Sequence, residues 1–77
     1  MPRIRLDSTA LAWVRYLEQD RILQVGLRSG REYEYAEVPS GVYRELLAAP
    51  SKGQYYNANI RNDFPCQEIR RYALSRR

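Results

Sequence analysis

Histidine is absent from this sequence of 77 residues, and cysteine occurs once, at Cys66. Without histidine, the chain lacks the side chain on which most zinc sites and the Ser/His and Cys/His nucleophile pairs depend. A single cysteine also excludes a disulfide within the chain. We therefore expect a protein that is not an enzyme and holds neither a metal nor an organic cofactor.

Long apolar runs are also missing. A membrane-spanning helix needs roughly 18 or more consecutive apolar residues, and no such run occurs. The N-terminal sequence MPRIRLDSTA has no apolar segment of the kind that secretory signal peptides contain. We expect a cytoplasmic protein without membrane contacts, and a chain this short has room for one small domain.

The positive charge is unevenly distributed. Residues 1–65 carry 9 basic and 8 acidic side chains, whereas residues 66–77 carry four arginines and one glutamate, so +3 of the net +4 lies in the last segment. We interpret residues 1–65 as the domain and residues 66–77 as a basic tail. Such a tail can neutralise nucleic-acid phosphates, or it can simply keep a small protein soluble.

Apolar residues alternate with polar ones in three segments, at 11–17, 21–28 and 31–38. This period of two predicts three strands, and the short polar linkers between them favour antiparallel hairpins. The segment from Arg3 to Leu6 could add a short edge strand.

The second hairpin determines where two tyrosines point. A three-residue loop at 28–30, with its glycine in the left-handed region, places Val25 opposite Tyr33. The same register places Leu23 opposite Tyr35. In this arrangement both tyrosine rings belong to the core and only their hydroxyls reach a partner, the alternative being a pair of exposed stacking rings.

Helical periodicity replaces alternation after Pro39. Val42, Leu46 and Ala49 recur on one helical face, and Pro50 ends the segment. The sequence therefore predicts an α+β fold: a three-stranded antiparallel β-meander followed by two α-helices packed on one face.

The second helix is predicted to begin at Ser51. Gln54 lies three residues further on, the spacing of a capping box in which each residue bonds to the backbone N–H of the other. At about 100° per residue, the inward face consists of Gly53, Tyr56 and Ile60.

The polar side chains of this helix form two flanks. They are Lys52, Tyr55 and Asn59 on one side, and Gln54, Asn57 and Arg61 on the other. Asparagine is a poor helix former, so two of them within a helix indicate contacts outside it. Those contacts are either carbonyls of the loop at 63–65 or a ligand.

These residues resemble the KTSC domain, a short module named after the C-terminus of certain lysyl-tRNA synthetases. The resemblance covers about residues 7–65 and is carried by Ser8–Leu11 (STAL), Leu23–Leu27 (LQVGL), Tyr33–Tyr35 (YEY), Val38–Pro39 and Ser51–Arg61 (SKGQYYNANIR). The family occurs as small bacterial and phage proteins and as an appendage of synthetases. The resemblance implies an RNA-binding domain.

A binding mode that suits RNA, or another single-stranded nucleic acid, follows from the side chains of the second helix. Lys52 and Arg61 can meet phosphates, Tyr55 can stack on an unpaired base, and Asn57 or Asn59 can read a base edge. Arg70 and Arg71 of the tail would add phosphate contacts.

Two other classes of function remain open. A protein–protein interaction module would use Trp13 and Ile22, together with the Tyr55 flank, as its contact patch. An enzyme would need an acid–base pair such as Glu32 and Glu34, although alternating charges on a strand usually form a solvated face.

Overall fold

Five strands form one antiparallel sheet, and two helices cover one of its faces. The structure, a computed structural model, describes residues 3–69. The elements are β1 (Ile4–Arg5), β2 (Leu11–Leu17), β3 (Ile22–Leu27), β4 (Glu32–Tyr35), α1 (Ser40–Ala48), α2 (Lys52–Asn59) and β5 (Cys66–Ile69). The strands lie side by side in the order in which they occur along the chain. The predicted α+β class is confirmed.

The predicted sheet of three strands was incomplete, because both edge strands were missed or left open. β1 is only two residues long and pairs Ile4 with Val14, so it is too short for alternation to be read. β5 follows the helices and pairs with β4, Cys66 lying opposite Tyr35. The first four residues of the segment interpreted as a tail are therefore part of the sheet, whereas Arg70 and Arg71 lie outside the described residues.

The register of the β3–β4 hairpin is the predicted one. Val25 lies opposite Tyr33 and Leu23 opposite Tyr35. The Leu27 N–H donates to the carbonyl of Arg31 over 2.8 Å, so residues 28–30 form a three-residue loop. Gly30 in this loop adopts a φ of 100°, which glycine reaches without a Cβ penalty. Its N–H donates to the carbonyl of Leu27 over 2.9 Å.

The core lies between the helices and the sheet face to which Val14, Val25 and Tyr35 point. Leu46 of α1 and Ile60, at the end of α2, are completely buried in the same cluster. Both helices therefore pack on one face of the sheet, as predicted. No helix within residues 3–69 has the length and apolar character needed to cross a membrane.

The helix α2 has the predicted phase. Tyr56 and Ile60 are buried, and a Cβ at Gly53 would lie 3.1 Å from the Cβ of Ala10, so the helix backbone approaches the start of β2 closely. Ser51 caps the helix through its Oγ, which accepts a hydrogen bond from the Gln54 N–H over 3.3 Å. The return bond of a capping box is not formed in the part of the chain that the structure describes.

Because the cap is one-sided, Ser51→Ala and Gln54→Ala should differ. We expect Ser51→Ala to lower the free energy of unfolding by about 1 kcal/mol, since it leaves an N–H at the helix start without its acceptor. Gln54→Ala removes an exposed side chain and should change it by less than about 0.5 kcal/mol. Urea denaturation followed by circular dichroism measures both; equal losses would mean that the full capping box forms.

Candidate functional site

The flank of α2 that contains Lys52, Tyr55 and Asn59 is engaged within the domain. The Lys52 Nζ donates to the carbonyl of Ala49 over 3.1 Å, and the Tyr55 hydroxyl donates to Glu45 over 2.8 Å. The Asn59 amide donates to the carbonyl of Tyr55, one turn earlier, over 3.3 Å. A ligand on this flank would have to displace or share these bonds.

The amide of Asn59 does not bond to the loop at 63–65, which was one of the two contacts expected for it. It bonds to its own helix instead, because a side chain at position i reaches the carbonyl at i−4. Partial burial raises the pKa of Tyr55, and its hydrogen bond to Glu45 adds to the rise. The Tyr55 hydroxyl is therefore a neutral donor at physiological pH.

The opposite flank of α2 borders a pocket of about 470 Å³ on the helix-covered side of the sheet. Asn57 and Arg61 form one side of this pocket, which we call the tyrosine pocket. The loop that follows β3, at Arg28 and Ser29, contributes another side, and Tyr33 on β4 is part of its lining. Two of the five predicted site residues on α2 and its end are thus brought together with residues that are distant in sequence.

The charged residues that line the tyrosine pocket are both positive. Arg28 and Arg61 are among its lining residues, and none of the described lining residues is acidic. The Arg28 guanidinium is fixed in place, because its Nε donates to the carbonyl of Ser8 and its Nη2 to that of Leu6, both over 2.9 Å. For the Arg61 guanidinium, no hydrogen bond or ion pair is formed within residues 3–69, so it is available to an anion.

Two tyrosines close the base of the pocket. The rings of Tyr35 and Tyr56 meet edge to face, with centroids 6.0 Å apart, and their hydroxyls form a hydrogen bond of 2.6 Å. Burial raises the pKa of both hydroxyls, and the bond to Tyr56 raises that of Tyr35 further. Both remain neutral, so the pocket floor adds no negative charge.

Of the three tyrosines that line the pocket, Tyr33 is the most exposed. It is half-buried, whereas Tyr35 and Tyr56 are 2% and 5% exposed. A hydrogen bond with the Tyr33 side chain raises the pKa of Arg31. The expectation that both rings of the Tyr33–Tyr35 pair belong to the core therefore holds fully for Tyr35 and partly for Tyr33.

Several lining residues were missed from the sequence, among them Arg28, Asn62 and Cys66. Cys66 could not have been placed there without β5, whose pairing brings it opposite Tyr35. Arg28 carried a usable signal, since a basic residue in the predicted loop at 28–30 lies close to Tyr33 near the start of the return strand.

The patch expected for a protein-interaction module is not continuous. Trp13 lies opposite Gly26 on the uncovered face of the sheet, and the guanidinium of Arg3 stacks on its ring at 3.9 Å. Tyr55 belongs to the helix layer, on the other side of the sheet. Trp13 and Ile22 can share one surface, but Tyr55 is not part of it.

The carboxylates considered for catalysis lie on the uncovered face as well. Glu32 pairs with Arg3 over 4.0 Å, and Glu34 accepts a hydrogen bond of 3.0 Å from Gln24. Within the described residues, no group of three or more acidic or cysteine side chains is arranged to hold a metal ion. The features that converge on one site are the arginines, amides and tyrosines of the tyrosine pocket.

A small α+β domain with a basic, tyrosine-lined pocket is thus the class that the fold defines, and comparison with known proteins identifies the family. The model of the KTSC domain matches residues 7–64, and the chain belongs to this family. A crystal structure of a KTSC domain protein from Yersinia pestis superposes with a TM-score of 0.87 at 26% identity, covering 90% of this chain and 97% of that one.

Relatives of this chain include parts of much larger enzymes. Lysine–tRNA ligases from Nostoc punctiforme and Trichormus variabilis are 31% and 34% identical to it over 68 residues, which make up 88% of this chain but 12% of each ligase. An uncharacterized protein from Stutzerimonas stutzeri is 39% identical over 57 residues, 74% of this chain and 80% of that protein. The domain therefore occurs in short proteins and within long ones.

Proposed function

We propose that this protein is a small non-catalytic domain that binds single-stranded nucleic acid, RNA in the first place. The observation that carries the proposal is the composition of the tyrosine pocket, where Arg28 and Arg61 occur without an acidic neighbour in the described lining. Arginine is well suited to phosphates, because the planar guanidinium offers paired donors.

The uncharged lining residues suit the remaining parts of a nucleotide. Tyr33 lines the pocket and is only half-buried, and aromatic rings are the usual platforms for unpaired bases. Asn57 carries both a donor and an acceptor, which is the pattern needed at a base edge. Unpaired RNA is recognised by this combination of stacking and edge contacts, whereas duplex RNA is recognised mostly through its backbone.

The relatives support RNA as the ligand. The lysine–tRNA ligases are named for a tRNA substrate, and they contain a segment similar to 88% of this chain. An appended domain that binds unpaired RNA would increase the affinity of such an enzyme for its substrate. In a short protein the same domain would bind RNA alone.

The predicted binding residues have different parts in this proposal. Asn57 and Arg61 contact the ligand directly, because they border the pocket. Lys52 and Tyr55 bond to Ala49 and Glu45 outside α2, and Asn59 bonds to its own helix. These three side chains would contact the ligand only from the side of α2 that faces away from the pocket. The arginines of residues 70–77 follow β5 directly and add phosphate contacts that do not depend on sequence.

Arg61→Gln should weaken binding of single-stranded RNA and reduce its salt dependence. Loss of one phosphate contact lowers the slope of log affinity against log salt by about 0.7. Arg44→Gln is the matched control, since it removes the same charge from the exposed side of α1. Fluorescence anisotropy with a labelled oligonucleotide at several salt concentrations measures both.

Removal of residues 70–77 provides the second comparison. It should weaken binding of every sequence alike, as Arg61→Gln should, because phosphate contacts do not depend on sequence. Asn57→Ala should instead change the preference among sequences. Equal effects of Arg61→Gln and Arg44→Gln would show that net charge alone drives binding and would contradict the assignment of the pocket. If the full chain bound neither RNA nor single-stranded DNA, the nucleic-acid proposal would fail and the interaction module would replace it.

A further inference from the structure

The shape of the tyrosine pocket limits how much of a strand it can take. Its lining comes from five separate segments: the residues before β2, the loop after β3, β4, the end of α2 and the start of β5. Its volume of about 470 Å³ lies within the range of roughly 300–1,000 Å³ that is usual for pockets binding one small molecule. A groove that follows a strand would instead extend across the surface.

We infer that the tyrosine pocket takes a single unpaired nucleotide unit, with its base against Tyr33 and its phosphate at Arg61. This inference rests on the proposed function and states which part of the nucleic acid enters the site. The ligand class is a nucleoside monophosphate, either as one residue of a strand or as a free nucleotide.

The distribution of polar groups supports this orientation. Arg28 is held by two backbone carbonyls at the loop, so its position is fixed before a ligand arrives, while Arg61 lies at the end of α2. Between them the floor consists of Tyr33 and the hydroxyl-paired Tyr35 and Tyr56. An aromatic floor between two cationic sides fits a flat base attached to an anionic group.

The amides next to Arg61 supply the contacts that a base needs. Asn57 and Asn62 are exposed at the rim and form no side-chain hydrogen bond within the described part of the chain. Asn59 has a comparable exposure but faces away from the pocket and bonds to Tyr55. The two rim asparagines therefore gain hydrogen bonds on binding, and Asn59 does not.

An inorganic anion is a poorer match for the same pocket. Phosphate would contact the guanidinium of Arg61 but would leave the ring of Tyr33 and the side chain of Leu27 without a partner. Burial of such apolar surface contributes favourable free energy to the binding of a base, and an inorganic anion does not gain it.

Nuclear magnetic resonance titration of the full chain tests the inference. The probes are the four ribonucleoside 5′-monophosphates, inorganic phosphate and a short single-stranded RNA. We expect the monophosphates to shift the amide signals of 28–33 and 57–62, and the RNA to shift the same signals at lower concentration. Inorganic phosphate should shift the signals near Arg61 only, and more weakly.

Two substitutions distinguish a pocket that binds a base from a site that binds only an anion. Tyr33→Leu should weaken monophosphate binding by about five- to 150-fold, the loss expected for one stacked base, and leave phosphate binding unchanged. Because Tyr33 also packs against the core, Asn57→Ala is the second variant, with Asn59→Ala on the same helix as its control. Asn57→Ala should weaken binding of at least one monophosphate, and Asn59→Ala should weaken none.

The outcomes separate this inference from the proposed function. If RNA binds while the monophosphates leave the pocket signals unchanged and Asn57→Ala has no effect, the single-nucleotide pocket is wrong and strand binding occurs elsewhere on the domain. If phosphate matches the monophosphates in affinity, the pocket is an anion site without base recognition. If neither RNA nor monophosphates bind, both proposals fall.

Discussion

Ile60→Ala is expected to lower the free energy of unfolding by about 2–5 kcal/mol. Ile60 is completely buried at the C-terminal end of α2, where its N–H donates to the carbonyl of Tyr56 over 3.0 Å. Truncation leaves a cavity between the helix and the sheet. A domain of 77 residues has a total stability of only about 4–12 kcal/mol, so the loss is a large part of the whole.

Asn59→Ala is the matched control, since it changes the preceding residue on the exposed side of α2. It removes one bond to the helix backbone but introduces a better helix former, and we expect a change within about 0.5 kcal/mol. Tyr55→Ala should lower the free energy of unfolding less than Tyr56→Ala, because Tyr56 lies on the buried face of α2 and Tyr55 does not. Urea denaturation monitored by circular dichroism measures all four variants. Similar losses for Ile60→Ala and Asn59→Ala would mean that α2 is rotated relative to the structure.

The helix phase and the hairpin register could be predicted because both depend on short-range rules. A period of about 3.6 residues places Tyr56 and Ile60 on one face, and a three-residue loop determines that Val25 meets Tyr33. Each rule involves residues close together in the sequence. The helix phase and the hairpin register were therefore predicted correctly from local sequence alone.

The edge strands could not be predicted with the same rules. The two residues of β1 are too few for any period to show. The segment Cys66–Ile69 forms a strand because β4 offers an unpaired edge, a fact about the tertiary structure that its own sequence does not contain. The strong signal in residues 66–77 was their positive charge, which favoured the interpretation of this segment as a basic tail.

Part of the candidate site could be predicted from the sequence, and the rest depends on tertiary structure, as the edge strands do. The sequence identified α2 as unusually polar, and Asn57 and Arg61 do border the pocket. Periodicity separates the two flanks of a helix but does not show which flank faces a cavity. That depends on Arg28 and Tyr33, which are brought close to α2 by the hairpin. Lys52 and Tyr55, equally plausible by residue type, face Ala49 and Glu45 instead.

The two faces of the sheet therefore have different roles. The helix-covered face contains the core and ends in the tyrosine pocket. The uncovered face has a structural cluster in which the indole of Trp13 lies over the backbone of Gly26, with Arg3 stacked on it. Glycine is what allows the ring to lie flat against the strand, since it has no Cβ at that point.

Gly26→Ala should destabilise the domain by about 1–3 kcal/mol, although alanine is normally the better residue within a strand. The added Cβ would fall inside the indole of Trp13, well within the 3.0 Å that such atoms keep from their neighbours. The ring must therefore leave its place. Because Trp13 is the sole tryptophan, its fluorescence should shift to longer wavelength as the ring becomes hydrated.

The sign of this effect should reverse when the indole is absent. In a Trp13→Ala background, Gly26→Ala no longer meets the ring and should stabilise the domain by roughly 0.5–1 kcal/mol, through the lower backbone entropy of the unfolded chain. Gly41→Ala is the control in the native background, because the space around its Cβ position is open and alanine should stabilise the first turn of α1. The four proteins of the Trp13/Gly26 cycle, compared by urea denaturation, give the coupling energy directly. A coupling energy near zero would show that the indole does not rest on Gly26.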